Sequence, residues 1–354
     1  MKDKIITFIF IGYISLFSIL HLLIPDLKIS KTERRKLDDF PKVEINNKYI
    51  TKIESYLLDH FPFRSEFRKV KAIYNYKILN KLDNNDYSFY NNNIYKSDYP
   101  TNIKSINNFE KHIQKMKLLF NKNNNVYMMI IPDKNYYLEE DNFLHIDYNY
   151  IYNCINKINR NNIDIRTTLN SNDYYQTDTH WKQENLAKVI KKMSDEMNFS
   201  YTNINYKENK YNNFYGVYYS EDINFRKPEV ITYLTNEIID NAEVTYLENK
   251  NLNKVYNLSK LDSLDSYEVY LDGASAYIEI NNNLSKSTKE LIIFRDSFTS
   301  SLAPLLINYY SKITLIDNRY ISCDNFKNLI EFTNQDILFA YSTSLINNSM
   351  SLKN

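Results

Sequence analysis

The spacing of apolar residues changes several times along the chain, and each change marks a segment. Ile5 to Ile24 is apolar and uncharged over the length of a membrane span, and Pro25 closes it. No small-residue cleavage site comes after it, so the pattern predicts a retained anchor over 1–25 rather than a removed signal peptide. The basic cluster Lys31, Arg34, Arg35 and Lys36 lies after the span and runs against the usual charge rule for orientation. An anchor this near the start normally exports the remainder of its chain, and that sets the expected topology. Residues 26–100 read as a juxtamembrane, largely helical segment, with two helices broken near Pro62 and a hairpin over 87–95. From 101 to 348 the periods alternate. Ile106–Leu119 predicts a helix, Val126–Ile131 a buried strand, Tyr148–Ile158 a helix and Ile163–Leu169 a second strand. A strong helical stripe begins at Lys182. Between about 199 and 285 short alternating runs predict a β-rich insertion, with strands at 230–234, 244–247, 267–271 and 276–280. The chain then reads strand, helix, strand, helix, strand at 291–294, 300–310, 313–316, 325–332 and 337–341. That alternation predicts an α/β fold, a parallel sheet with helices on both faces.

Composition removes some function classes. With 44 basic and 43 acidic residues the net charge is +1, which points to no nucleic-acid partner. Only 3 glycines are present and none forms a phosphate cradle, so no nucleotide cofactor is expected. Cys154 and Cys323 show no metal spacing; they read as two separate thiols, with a single disulfide outside the cell left open. His180 and Glu184 are four apart, but lack a third ligand at helical spacing, so no metal is expected.

Two stretches carry candidate chemistry. In Thr177-Asp178-Thr179-His180-Trp181 an aspartate lies two residues before a histidine, close enough to orient its ring. In Ile293-Phe294-Arg295-Asp296-Ser297-Phe298 a serine follows a buried strand and precedes a helix, where α/β sheets place ligands. Ser297 is open to two readings, nucleophile or helix N-cap, and Asp178 is equally a candidate cap for the Lys182 helix. Asp296 reads as tightening the turn. His21, His60, His112 and His145 have no comparable strand-end setting.

The Asp178-x-His180-Trp181 stretch resembles the D-x-H-W signature of the alginate O-acetyltransferase-like SGNH proteins and of the related DHHW family. Further stretches match DHHW proteins in the same order: Asp59-His60-Phe61-Pro62-Phe63-Arg64, Pro132-Asp133-Lys134, Phe214-Tyr215-Gly216-Val217-Tyr218-Tyr219, Ser301-Leu302-Ala303-Pro304-Leu305-Leu306 and Ile316-Asp317-Asn318-Arg319-Tyr320. Thr179 replaces the first His of the name motif, and Arg295 stands where related serine motifs have glycine. The resemblance implies an SGNH-hydrolase-like three-layer sandwich in permuted order over 101–348. It implies Ser297 as nucleophile, His180 as base and Asp178 as its orienter. Gly216, Arg319 and Trp181 are the expected substrate contacts. The implied activity is O-acyl transfer, most simply O-acetyl transfer, to a cell-surface or secreted polysaccharide by an anchored protein with its body outside the cell. A polytopic membrane O-acyltransferase is the implied donor partner. A carbohydrate esterase with the same three residues, or a non-catalytic polysaccharide-binding or assembly protein, are the other readings.

Overall fold

The computed structural model describes residues 2–30, 33–43, 47–81, 83–84, 86–138, 143–219, 227–248 and 252–353. Residues 1–85 belong to one compact unit, and 86–219 with 226–354 form a second.

The first unit contains helices α1 (Lys2–Leu23), α2 (Asn47–Asp59) and α3 (Arg64–Ile73). Within α1, Lys4–Leu23 is long and apolar enough to cross a membrane. Pro62 separates α2 from α3, and Phe63 takes a left-handed φ of 59° at the start of α3. An ionic cluster holds the exit of α1 against these helices. Asp59 accepts from both Nη atoms of Arg35 at 2.8 and 2.5 Å, and Glu33 pairs with Arg35, Arg64 and Arg68.

The second unit opens with a hairpin, β1 (Tyr87–Tyr90) and β2 (Asn93–Lys96). Asn91 and Asn92 form its two-residue loop, both with positive φ (43° and 64°), a geometry asparagine tolerates and hairpin twist favours. The sequence pattern put this hairpin in the juxtamembrane segment. It belongs to the second unit, where the Ile94 N–H donates to Gln176 O.

There follow α4 (Ile103–Lys117), β3 (Asn125–Ile131), α5 (Tyr148–Ile158), α6 (Ala187–Met197), β4 (Lys207–Phe214) and β5 (Glu229–Thr235). The rest comprises β6 (Glu243–Tyr246), β7 (Tyr277–Asn281), β8 (Glu290–Arg295), α7 (Thr299–Leu306), β9 (Lys312–Ile316), α8 (Cys323–Phe326), β10 (Asp336–Ser342) and α9 (Thr343–Asn347). The central sheet has six strands in the order β3-β10-β8-β9-β7-β6. The first four are mutually parallel, while β7 and β6 add on antiparallel. Along β8, Leu291 and Ile293 face one core and Ile292 and Phe294 the other. The first core is closed by α6 and α7, the second by α4 and α5. A strand buried on both faces has no polar positions to spare, hence the continuous apolar run. Each such side chain contributes roughly 1.5–3 kcal/mol by leaving water.

Four elements differ from the pattern-based expectation. Ile163–Leu169 is not a strand. Ile163 and Ile165 are buried, but only Asn162 bridges Met128 before the chain turns. Among the described residues of the expected insertion, only β4 and β5 form a separate pair; β6 and β7 extend the central sheet. Tyr267–Leu271 is a turn, capped by Asp265 and leading into positive φ at Leu271, Asp272 and Gly273. The helix expected over 325–332 is the single turn α8. Cys154 and Cys323 are free thiols.

Candidate active site

Strand β8 carries the chain to Asp296 and Ser297 at the carboxyl end of the sheet. Asp296 fastens the turn there: its two carboxylate oxygens accept from the N–H of Phe298 (3.1 Å) and of Ser342 at the end of β10 (2.7 Å). Helix α7 starts at Thr299 without a side-chain cap, so the Ser297 hydroxyl is free of that duty. Among residues 291–300, Ser297 alone is not fully buried. Its Oγ lies 2.8 Å from Nε2 of His180. Arg295, in the position of the expected glycine, is buried and donates to Ser300 Oγ at 2.6 Å, bracing the first turn of α7.

His180 comes from a tight loop closed by a bridge between Tyr174 and Trp181 and by Tyr175 N–H donating to His180 O. Its Nδ1 lies 2.6 Å from Asp178 Oδ1, which also accepts from the His180 backbone N–H at 3.0 Å. The second Asp178 oxygen accepts from Val217 N–H at 2.8 Å. Burial pushes the Asp178 carboxyl up, but the charge and hydrogen bond of the His180 ring, and the N–H groups of His180 and Val217, outweigh it. They hold it below its ordinary value of 3.8. An ionised carboxylate only accepts, so Nδ1 carries a proton, and in the neutral ring Nε2 accepts from Ser297. Asp178 is therefore occupied by the ring and does not cap the following helix, whose first residues form a 3-10 turn over Gln183–Asn185.

The loop is held from three sides. The Glu229 carboxylate on β5 accepts from Gln176 N–H, Thr177 N–H and the Thr177 hydroxyl at 2.7, 2.7 and 2.5 Å. Lys134, buried after β3, donates to Tyr175 O and Gln176 O. Gly216 backs directly onto Thr177: its N–H donates to Thr177 Oγ1, and an added Cβ would sit 2.1 Å from Thr177 O and 2.5 Å from Asp178 Cβ. Gly216, an expected substrate contact, makes its close approach to the Asp178 loop. Gly216→Ala is expected to push the Val217 N–H off Asp178 and to cost about 1–3 kcal/mol. Thermal unfolding of the variant, beside its turnover, checks this.

Trp181 likewise presents no surface to a substrate. It is fully buried, and its indole N–H donates to Phe298 O (2.9 Å) and Ser301 Oγ (3.0 Å), joining the His180 loop to α7. Arg319 forms a bidentate pair with buried Asp317 at 2.9 and 2.6 Å, so its charge is already matched inside the protein.

Tyr267 was invisible in the sequence pattern, where it sat in an expected strand. Its ring stacks on the His180 imidazole at 3.8 Å and 6°, and its hydroxyl donates to Ser301 Oγ at 2.8 Å. Tyr267→Leu is expected to free the ring and lower kcat by up to about tenfold, the scale of one aromatic pair. Tyr267→Phe keeps the stack and should retain most activity. Steady-state kinetics of the two variants separate stacking from the hydroxyl. Glu229 and Lys134 were also missed as supports of the loop; the Pro132-Asp133-Lys134 stretch was the one available signal.

No family model and no curated protein matches the sequence. Solved structures do match. A DHHW family protein from Eubacterium siraeum superposes with a TM-score of 0.63 at 17% identity, covering 77% of this chain and 97% of that one. The chain shares that protein's fold. Bacillus cereus PatB1, in a structure with a sulfonyl adduct, gives 0.61 at 17% identity, covering 76% and 97%. The O-acetyltransferase domain of Pseudomonas putida AlgJ gives 0.43 at 9% identity, covering 73% and 90%. The matches to the DHHW protein and PatB1 take in nearly the whole of those chains, so the fold shared is a complete one. Chemically, a hydroxyl hydrogen-bonded to an oriented imidazole is an arrangement for nucleophilic attack on a carbonyl. Among the described residues no cluster of three or more His, Cys, Asp or Glu is placed to hold a metal ion.

Proposed function

We propose that this chain is an O-acyltransferase, most simply an O-acetyltransferase, that modifies a cell-surface or secreted polysaccharide through a Ser297 acyl-enzyme. The 2.8 Å approach of His180 Nε2 to Ser297 Oγ carries the reading, since it joins two loops 117 residues apart in the arrangement acyl transfer needs. The fold shared with the DHHW protein, and the motif order noted in the sequence, support it.

In the first half-reaction Ser297 Oγ attacks the acyl carbonyl and its proton passes to His180 Nε2. The tetrahedral adduct collapses, the donor's leaving oxygen takes that proton, and the acyl group stays on Ser297. In the second, a sugar hydroxyl attacks the ester while His180 takes its proton. Ser297 departs and recovers that proton, and the acylated sugar leaves. Asp178 holds the ring and stabilises its cationic form throughout. The permuted SGNH-type sandwich is part of this reading. So are α1 as the anchor, the body on the extracellular side, and a polytopic membrane acyltransferase as donor partner.

The test uses the purified chain and a chromogenic acetyl ester. Intact mass should show one added acetyl group, mapped to the Ser297 peptide. Adding an oligosaccharide should draw the acetyl to sugar rather than to water; transfer only to water makes the protein an esterase. Absence of any adduct under turnover defeats the proposal.

A further inference from the structure

The first unit exposes an apolar face that its own fold leaves open. Ile50 and Leu57 on α2 are seven residues apart, Phe61 and Phe63 lie in the link, and Phe67 and Val70 line α3, so each helix presents one stripe. Val70 is 63% exposed and Phe63 53%. The polar groups nearby are satisfied internally: Glu33 gathers three arginines, Asp59 takes Arg35, and Tyr56 donates to Asp26. A contiguous apolar surface of this kind marks an interaction site.

The contacts of α1 say what covers it. Phe17 of α1 stacks on Phe61 at 5.3 Å and lies 6.0 Å from Phe67. One turn later, His21 Nδ1 donates to His60 O, and its ring meets Tyr56 edge-on. Phe17 is six residues before the end of α1, which at 1.5 Å per residue places it about 9 Å below that end. Interfacial helices bury their apolar faces about 5–10 Å into the boundary between headgroups and acyl chains. If α1 spans a bilayer to Leu23, the rings touching Phe17 are already at that depth. A groove of about 520 Å³ lies just beyond α1, with Ile24, Pro25, Phe61 and Phe63 on its apolar wall and Glu33, Asp59 and Arg64 on its polar one.

We infer that α2 and α3 form a membrane-embedded platform, their apolar face lying in the interfacial layer of the bilayer that α1 crosses. This rests on the reading of α1 as a membrane anchor. The platform fixes α1 through two contact points rather than leaving it a flexible tether. Its occupant is lipid acyl chain, not a second copy of this chain.

Depth-dependent quenching tests it in the full chain. The protein is reconstituted in phosphatidylcholine–phosphatidylglycerol vesicles whose acyl chains are brominated near the carboxyl end, and in ordinary vesicles of the same headgroups. Three variants each add one tryptophan: Phe63→Trp, Val70→Trp and, within α1, Phe8→Trp. Emission is read as the difference from the unaltered chain, which removes the Trp181 background. The expected result is that the added indoles at 63 and 70 each lose more than half their emission in brominated vesicles. Quenching at 8 without quenching at 63 and 70 overturns the platform and leaves the anchor standing; a second copy covering the face would give this result. Quenching at none of the three overturns both.

Discussion

Ser297→Ala is expected to abolish the acetyl adduct and to lower turnover of an activated ester by about 10⁴-fold or more. That loss corresponds to roughly 5 kcal/mol of transition-state stabilisation. The fold should tolerate the change. Ser297 caps no helix, its hydroxyl's partner is the His180 ring, and the turn around it is fastened by Asp296 and not by the serine. Thermal unfolding should therefore stay within about 1 kcal/mol of the unaltered protein, the scale of one neutral hydrogen bond. Intact mass and ester hydrolysis, measured on the same preparation, check both halves. Unchanged turnover would remove Ser297 from the reaction.

Asp178→Asn should cost nearly as much, about 10³–10⁴-fold in kcat, for a different reason. Asp178 makes three hydrogen bonds, all as acceptor: two at Oδ1 from His180 and one at Oδ2 from Val217. An amide has one accepting oxygen. If that oxygen serves His180, the Val217 N–H faces an NH2 group. If it serves Val217, the NH2 faces Nδ1, the proton moves to Nε2, and the ring can no longer accept from Ser297. Stability also falls, with a pH signature. The folded Asp178 carboxyl lies below its ordinary 3.8, so folding favours the ionised form. Its contribution is complete above 3.8 and is lost as pH drops through the lower, folded value. The difference in unfolding temperature between the unaltered protein and the variant should be largest near neutral pH and shrink in strong acid. A difference independent of pH would mean that the carboxylate charge does not matter to the loop.

These two expectations depend on contacts of unequal legibility. The pairing of Asp178 with His180 is local: two residues apart in a tight loop, the carboxylate reaches the ring of its neighbour. The supports of the pair are not local. Glu229 arrives from β5, Lys134 from the end of β3, and Gly216 from the end of β4. Their sequence surroundings are an ordinary strand, a turn and an aromatic loop. A glycine at which an added Cβ would sit 2.1 Å from a neighbouring carbonyl is indistinguishable in sequence from one that lines a ligand. Trp181 and Arg319 are substrate contacts only by the family resemblance. The indole N–H of Trp181 is spent inside the protein, on Phe298 and Ser301, while Arg319 pairs with buried Asp317 and stays partly exposed. Tyr267 shows the reverse error. The short apolar run over 267–271 looks like a strand, yet a 3-10 turn over Ser266–Val269 buries Tyr267 and Val269, and it is the turn that sets the ring against His180.

By itself, the sequence determined the elements whose signal is carried by near neighbours. Those are the apolar helix at the N-terminus, the two helices split by Pro62, and the parallel strands buried on both faces. The Asp178–His180 pair and a serine at the end of β8 belong with them. Periodicity and chain-local spacing are enough for these, because each is fixed by side chains within a few residues. Tertiary structure decided what long-range contact alone can supply. It brought Ser297 to His180, sent β6 and β7 into the central sheet, stacked Tyr267 on the imidazole, and set Phe17 of α1 against Phe61. In each case two distant segments bury surface together, and neither segment alone carries a record of its partner.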